Sequence, residues 1–367
     1  NLPINLQGDS IQMNLDQTRF PAEQLVSFIE SALTAADTRK EDAAEIARHL
    51  VDANLTGHDS HGIGMLPAYI AHIQGGQVNI TATDITRSDK GVIIQRDADS
   101  GWGKPAARRL IETAIEKCQQ NGLAAATLGN VHHLGRIGAY GEQAAAAGLV
   151  SMHFVSVADH APLVAPFRGS DARFGTNPVC ISFPATNKRP SFLLDMATSK
   201  IALGKVRVAA NKGEKVPPGS LINEHGMETE DPTGMSGFEM KGALLPLGRH
   251  KGYGLGFACE LLAGVLSGAG TLQPGNPRKG GIQNRMLSIL IAPDAFGDTD
   301  WMDEEVDAMS DYALASPPMD WDSPVLYPGD PERAWRGKRT REGVPLDGVT
   351  VEQLTKAAEK AGSDERL

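Results

Sequence analysis

Residues 123–148 open with Leu123-Ala-Ala-Ala-Thr-Leu128-Gly-Asn-Val131-His132-His133-Leu134-Gly135-Arg136-Ile137-Gly138-Ala-Tyr140 and run on through alanines to Gly148. The apolar run Leu123–Leu128 predicts a strand, and Gly138–Gly148 predicts a helix. Two adjacent histidines therefore fall at a strand-to-helix turn. An unperturbed imidazole, with a pKa of about 6.5, exchanges protons near neutrality. Gly135 and Gly138 let backbone approach a ligand closely at that turn. The run is not Gly-x-Gly-x-x-Gly, and the nearest alternatives, Gly252-Tyr-Gly254-Leu-Gly256 and Gly268-Ala-Gly270, fail that spacing. The usual dinucleotide fingerprint is missing. So is the Gly-x-x-x-x-Gly-Lys-Ser/Thr loop of phosphate-binding ATPases.

Composition narrows the class. With 367 residues the chain is long for one core. It is 41% hydrophobic and 22% charged, as ordinary globular proteins are. A net charge of −10 argues against nucleic acid as a partner. No apolar run reaches the roughly 20 residues that span a bilayer, so no membrane role is expected. Cys118, Cys180 and Cys259 are scattered in apolar sequence, which suits buried thiols in a reducing cytoplasm. Residues 1–19 are polar, lack a signal-peptide core and read as a disordered lead or expression remnant.

Outward from the turn, Leu25, Phe28, Ile29 and Leu33 predict a helix over Pro21–Ala36. Asp37 or Thr38 is a candidate cap for a second helix running to Gly57. A short helix is expected through Tyr69 and Ile73. Strands are expected at 91–97, 149–157, 179–183, 192–194 and 285–291, and helices at 105–120, 198–211, 251–266, 300–315 and 351–362. Residues 216–242 and 268–284 read as long loops, and Pro-rich 321–346 as a surface wrap. Without regular βαβ spacing, the expected class is α/β with a mixed sheet flanked by helices.

Several constellations admit two roles. His58 and His61 stand at a zinc-compatible spacing, but no Cys-x-x-Cys or His-Glu-x-x-His accompanies them, and no metal is expected. His132 and His133 fit structural, proton-transfer or metal roles. Asp195 could cap a following helix, meet a ribose hydroxyl or orient a histidine. Arg249-His250-Lys251, beside glycines at a helix start, fits an anion site or a solvated basic turn. Arg136, Arg168 and Arg173 could each fork onto a carboxylate or form a surface ion pair.

Together, Gly57-His-Asp-Ser-His-Gly62, His132-His-Leu-Gly-Arg-Ile-Gly138, Phe174-Gly-Thr-Asn-Pro178, Leu193-Leu-Asp-Met-Ala-Thr-Ser199, Gly204-Lys205 and Lys251-Gly-Tyr-Gly-Leu255 resemble the malate/L-lactate dehydrogenase-like oxidoreductases. The resemblance runs from about Phe20 to Gly362 and is greatest to the hydroxycarboxylate dehydrogenase branch. It implies a non-Rossmann NAD(P)-binding fold with a mixed, largely antiparallel sheet and a helical domain, working as a cytoplasmic homodimer. The implied layout is a helical domain over 20–90, joined by 300–367, and a cofactor-binding α/β domain over 91–299. The implied reaction interconverts 2-hydroxy and 2-oxo acids with NAD, NADP being the alternative nucleotide. Cyclic imine reduction, of the piperideine-carboxylate type, is the alternative reaction.

By the same resemblance His133 is the catalytic acid/base, with Ser60 beside the substrate. His61, Gly135, Arg136 and Ile137 meet the cofactor. So do Leu193, Leu194, Asp195, Met196 and Ala197, with Asp195 toward ribose. His250, Asn284, Gly329, Asp330, Pro331 and Glu332 complete that site. A protonated histidine would stabilise the charge that builds on a carbonyl oxygen during reduction. Many members carry an arginine where this chain has Met65, which implies tolerance of a larger or more hydrophobic oxo acid.

Overall fold

The computed structural model describes residues 17–235 and 240–367. The polar lead expected over 1–19 lies outside them up to residue 16. Thr18 and Arg19, its end, instead join Phe20 in a short strand, β1. There follow α1 (Ala22–Ala35), α2 (Lys40–Leu55), α3 (Leu66–Gln74), β2 (Ile85–Lys90), β3 (Ile93–Asp97), α4 (Gly103–Asn121), β4 (Leu123–His132), α5 (Gly138–Ala146) and β5 (Val150–Ala158). The middle of the chain adds β6 (Val179–Phe183), β7 (Phe192–Met196), α6 (Leu203–Lys212), β8 (Leu221–Ile222), β9 (Glu228–Thr229), β10 (Ala243–Leu244) and α7 (His250–Cys259). The chain closes with β11 (Gln283–Ile291), α8 (Thr299–Leu314), α9 (Asp330–Glu342), β12 (Val344–Leu346) and α10 (Gly348–Ala361).

The main sheet has seven strands in the order β2-β3-β4-β11-β5-β6-β7. Only β3 and β4 run parallel; the other neighbours are antiparallel. A parallel pair needs a crossover, and α4 supplies it. One βαβ unit thus exists where sequence spacing showed none. The core under this sheet joins Leu110, Ile111 and Ala114 of α4 to Leu128 and Val131 of β4 and to Tyr140 of α5. A second core joins Leu25 and Phe28 of α1, Ile46 and Leu50 of α2, Tyr69 of α3 and Leu354 of α10. Among the described residues no helix is long and apolar enough to cross a membrane.

Four local expectations are corrected. Neither Asp37 nor Thr38 caps α2; Arg39 occupies that position without a side-chain cap. The segment after β7 becomes helical only at Leu203, so Asp195 caps no helix that follows it. The 216–242 excursion holds two strands, β8 and β9, of a small antiparallel sheet completed by β10. The supposed Pro-rich wrap contains α9, whose Pro331 sits in the first turn, where a missing N–H costs nothing.

Candidate active site

The turn after β4 lies where the two cores meet. His132 ends the strand and His133 is the first residue beyond it. A β-bulge in β11 between Asn284 and Met286 directs the Asn284 side chain into this turn, where Oδ1 accepts the Leu134 N–H at 2.8 Å. Asn284, expected on a cofactor, thus holds the histidine turn. Gly135 has φ +77°, and a Cβ there would stand 2.6 Å from His49 Nε2.

His133 is buried, and both ring nitrogens have neighbours. Its Nδ1 lies 2.7 Å from the Tyr69 hydroxyl, and its Nε2 lies 3.3 Å from His61 Nδ1. The two imidazoles stack with centroids 5.4 Å apart. Tyr69 also receives a hydrogen bond from the buried Lys104 ammonium. Burial, reinforced by Lys104 and the neighbouring histidines, drives the His133 imidazole well below its usual range. Burial brings His61 down to about 4, aided by His58, Lys104 and Arg136. Burial in this cluster therefore favours the neutral His133 ring over the protonated one.

His61 and Ser60 are presented by a 3-10 turn, Asp59–His61. Arg339 of α9 clamps Asp59 with two bonds, at 2.6 and 3.0 Å, and reaches the Asn54 carbonyl. Asn54 in turn donates to Asp59 and accepts from Ile63 N–H. Gly204 lies against Ser60; a Cβ there would stand 2.9 Å from the serine Cβ. His58 and His61 diverge: His58 Nε2 pairs with Glu332 at 3.1 Å, whereas His61 faces His133.

Arg136 is 1% exposed and bridges Asp52 at 2.9 Å and Glu142 at 2.5 Å. Both bonds use Nη2, so that nitrogen is committed to internal carboxylates. Asp195 reaches from β7 to the Gly138 N–H at 2.7 Å, at the start of α5. It caps a helix after all, but one that precedes it in sequence. Burial raises the Asp195 carboxyl, outweighing His58, Arg136 and the Gly138 N–H. The Gly329–Glu332 turn stands beside edge strand β7: Leu193 N–H donates to Pro328 O, and Arg333 donates to Ser191 O. Leu194, Met196 and Ala197 lie on or just past that strand.

His250 is not drawn into this cluster; it is exposed and packs on Phe167 at 5.8 Å. Arg168 lies over the Phe167 ring, and Arg173 pairs with Asp171. Met65 is half-buried against the helical core. Sequence reasoning missed Tyr69, Lys104 and His49. The available signal was Lys104 in the first turn of a helix, where an isolated helix prefers an acid.

A family model described as malate/L-lactate dehydrogenase matches residues 20–355. Hydroxycarboxylate dehydrogenase B of Escherichia coli is 43% identical over 349 residues, 95% of each chain. L-lactate dehydrogenase of Cupriavidus necator is 44% identical over 306 residues, 83% of this chain and 87% of that one. A solved E. coli chain described as of malate/lactate dehydrogenase type superposes with a TM-score of 0.90 at 42% identity, covering 95% of this chain and 96% of that one.

Proposed function

The chain belongs to the malate/L-lactate dehydrogenase family, and from that premise we propose that it interconverts 2-hydroxycarboxylates and 2-oxocarboxylates with a nicotinamide dinucleotide. The observation that carries this reading is the buried His133, held between Tyr69 and His61 at a glycine turn. A ring fixed at both nitrogens can give a proton to a carbonyl oxygen or take one from a hydroxyl without reorienting.

The nicotinamide, when bound, supplies or accepts the hydride. The residues present fit such a group. Asp195 spends Oδ2 on Gly138 N–H, which leaves Oδ1 for a ribose hydroxyl. Arg136 keeps Nε and Nη1 buried and unpaired among the described residues, beside the same turn. Leu193–Ala197 follow the sheet edge next to the Gly329-Asp330-Pro331-Glu332 turn. Asp195 and Glu332 feel each other's charge, and a 2′-phosphate near both would be repelled, which supports NAD over NADP. Ser60, exposed beside His61, is the candidate for hydrogen-bonding the substrate. Buried free thiols at Cys118, Cys180 and Cys259 agree with a reducing cytoplasm. The exposed apolar side chains Phe257, Leu261 and Val265 agree with a homodimer.

The test is a spectrophotometric assay of the protein with NADH or NADPH against a panel of 2-oxo acids and one cyclic imine. Oxidation of NADH by oxo acids is the expected outcome. Turnover of the imine alone would overturn the substrate class.

A further inference from the structure

We propose that Lys104 and Tyr69, acting through His133, decide which ring nitrogen of His133 carries the proton, so that the charge on Lys104 selects between proton donation and proton abstraction at Nε2. The inference rests on the hydride-transfer reading above for its reaction, and on geometry for the switch.

Gly103 opens α4 directly against the histidine backbone: a Cβ there would stand 2.0 Å from His132 O and 2.6 Å from His133 O. This contact turns Lys104 inward, where it is 2% exposed. Its Nζ reaches the Tyr69 hydroxyl and lies 3.5 Å from His133 O. Tyr69 continues the chain to His133 Nδ1. The groups that face Lys104 are His49 from α2, His61 from the 3-10 turn, Tyr69 from α3, and His132 and His133 from the end of β4. No carboxylate among the described residues bonds to it.

An ammonium has only donors. While Lys104 is charged, the Tyr69 oxygen must accept from it and give its own hydrogen to His133 Nδ1. His133 then carries its proton on Nε2, ready to donate. When Lys104 is a neutral amine it offers a lone pair. Tyr69 then donates to Nζ and accepts from His133 Nδ1–H, and Nε2 is left with a lone pair, ready to abstract. Burial alone brings Lys104 down to about 7, so both states are populated near neutrality. Burial pushes the Tyr69 phenol far up, so it relays a proton without resting as a phenolate.

The proton account balances. In reduction the carbonyl carbon takes the hydride and the π pair of C=O passes to oxygen, which takes the Nε2 proton. Nδ1 takes the phenol proton, and the phenol oxygen takes one ammonium proton. The chain ends with an alcohol, the other imidazole tautomer and a neutral lysine, which is the arrangement oxidation requires. Lys104 recovers its proton from solvent.

The experiment pairs pH–rate profiles in both directions with 15N NMR of the imidazoles in the free protein. In the native protein, reduction should fall and oxidation rise through a common pH near that of Lys104, and His133 should change from the Nε2–H to the Nδ1–H tautomer over the same range. In Lys104→Met and Lys104→Gln both pH dependences should vanish and reduction should drop about 100-fold, with KM for the cofactor unchanged. Lys104→Arg, whose charge does not titrate, should keep Nε2–H at every pH. A tautomer that ignores pH in the native protein overturns the proposal even if every variant fails to fold. A native protein that switches tautomer but reduces no 2-oxo acid overturns the reaction reading and leaves the switch standing.

Discussion

The Tyr69 hydroxyl and His133 Nδ1 lie 2.7 Å apart, which pins the ring and leaves Nε2 facing His61. His133→Ala removes the proton carrier while leaving the turn, whose fold is held by Asn284 and Gly135 rather than by the imidazole. Turnover should fall about 10²–10⁴-fold, the usual contribution of general acid–base catalysis. Binding of NADH, followed by its fluorescence, should stay within a few-fold of the native value. Turnover that survives the substitution would remove His133 from the mechanism.

Gly135→Ala tests the turn itself. The residue sits at φ +77°, where a Cβ costs roughly 1–2 kcal/mol. That Cβ would also press on His49 Nε2 at 2.6 Å and on Lys104 Cε at 2.9 Å. Both neighbours are buried in the site, so the variant should lose activity beyond what its lower melting temperature accounts for. A variant with lowered Tm and native kcat would show that the turn can shift without disturbing Lys104 and His133.

Arg339→Gln breaks the clamp on Asp59. Arg339 is 3% exposed, but its carboxylate partner is half-exposed, so solvent recovers part of the loss. A destabilisation of order 1–3 kcal/mol is expected from charged hydrogen bonds of this kind. Because the clamp holds the turn that carries Ser60 and His61, KM for the oxo acid should rise along with the fall in Tm. Urea unfolding and initial rates on one preparation separate the two effects.

The sequence made the centre of this arrangement legible because its parts are local. An apolar strand, a histidine pair and two glycines sit within sixteen residues, and that strand-turn-helix forms as expected. The parts that escaped reading depend on distant pairing. Lys104 begins an amphipathic helix, and nothing in the sequence says that Gly103 presses it under His133. Tyr69 reads as an apolar helix position and turns out to be both core and the hydrogen-bond partner of His133. Helix α9 is almost wholly polar, so it has no apolar stripe to find. Its Glu332, Arg336 and Arg339 instead meet His58, Asp52 and Asp59 across the fold. Asp195 resembled a cap for the helix after it because sequence cannot show that β7 lies beside α5.

Acid should loosen the protein in a window set by its buried imidazoles. His49, His132, His133 and His153 are all buried, and burial is the leading cause that lowers each; His153 is brought to about 3. Their native forms stay neutral while the unfolded chain begins to bind protons near its ordinary pKa of about 6.5. Unfolded protein therefore holds more protons below that pH, and stability falls as pH falls. The contribution is whole above about pH 6.5 and declines by about 1.4 kcal/mol per pH unit for each such histidine. Lys104 acts in a different window: with a native value about 7, it makes the fold less stable at neutral pH than above its ordinary 10.5. Lys104→Met should thus raise Tm at pH 7 while the acid limb stays. Urea midpoints at pH 7.5, 6 and 5 read the histidine term, and a flat series would mean that these rings take up protons in the native fold.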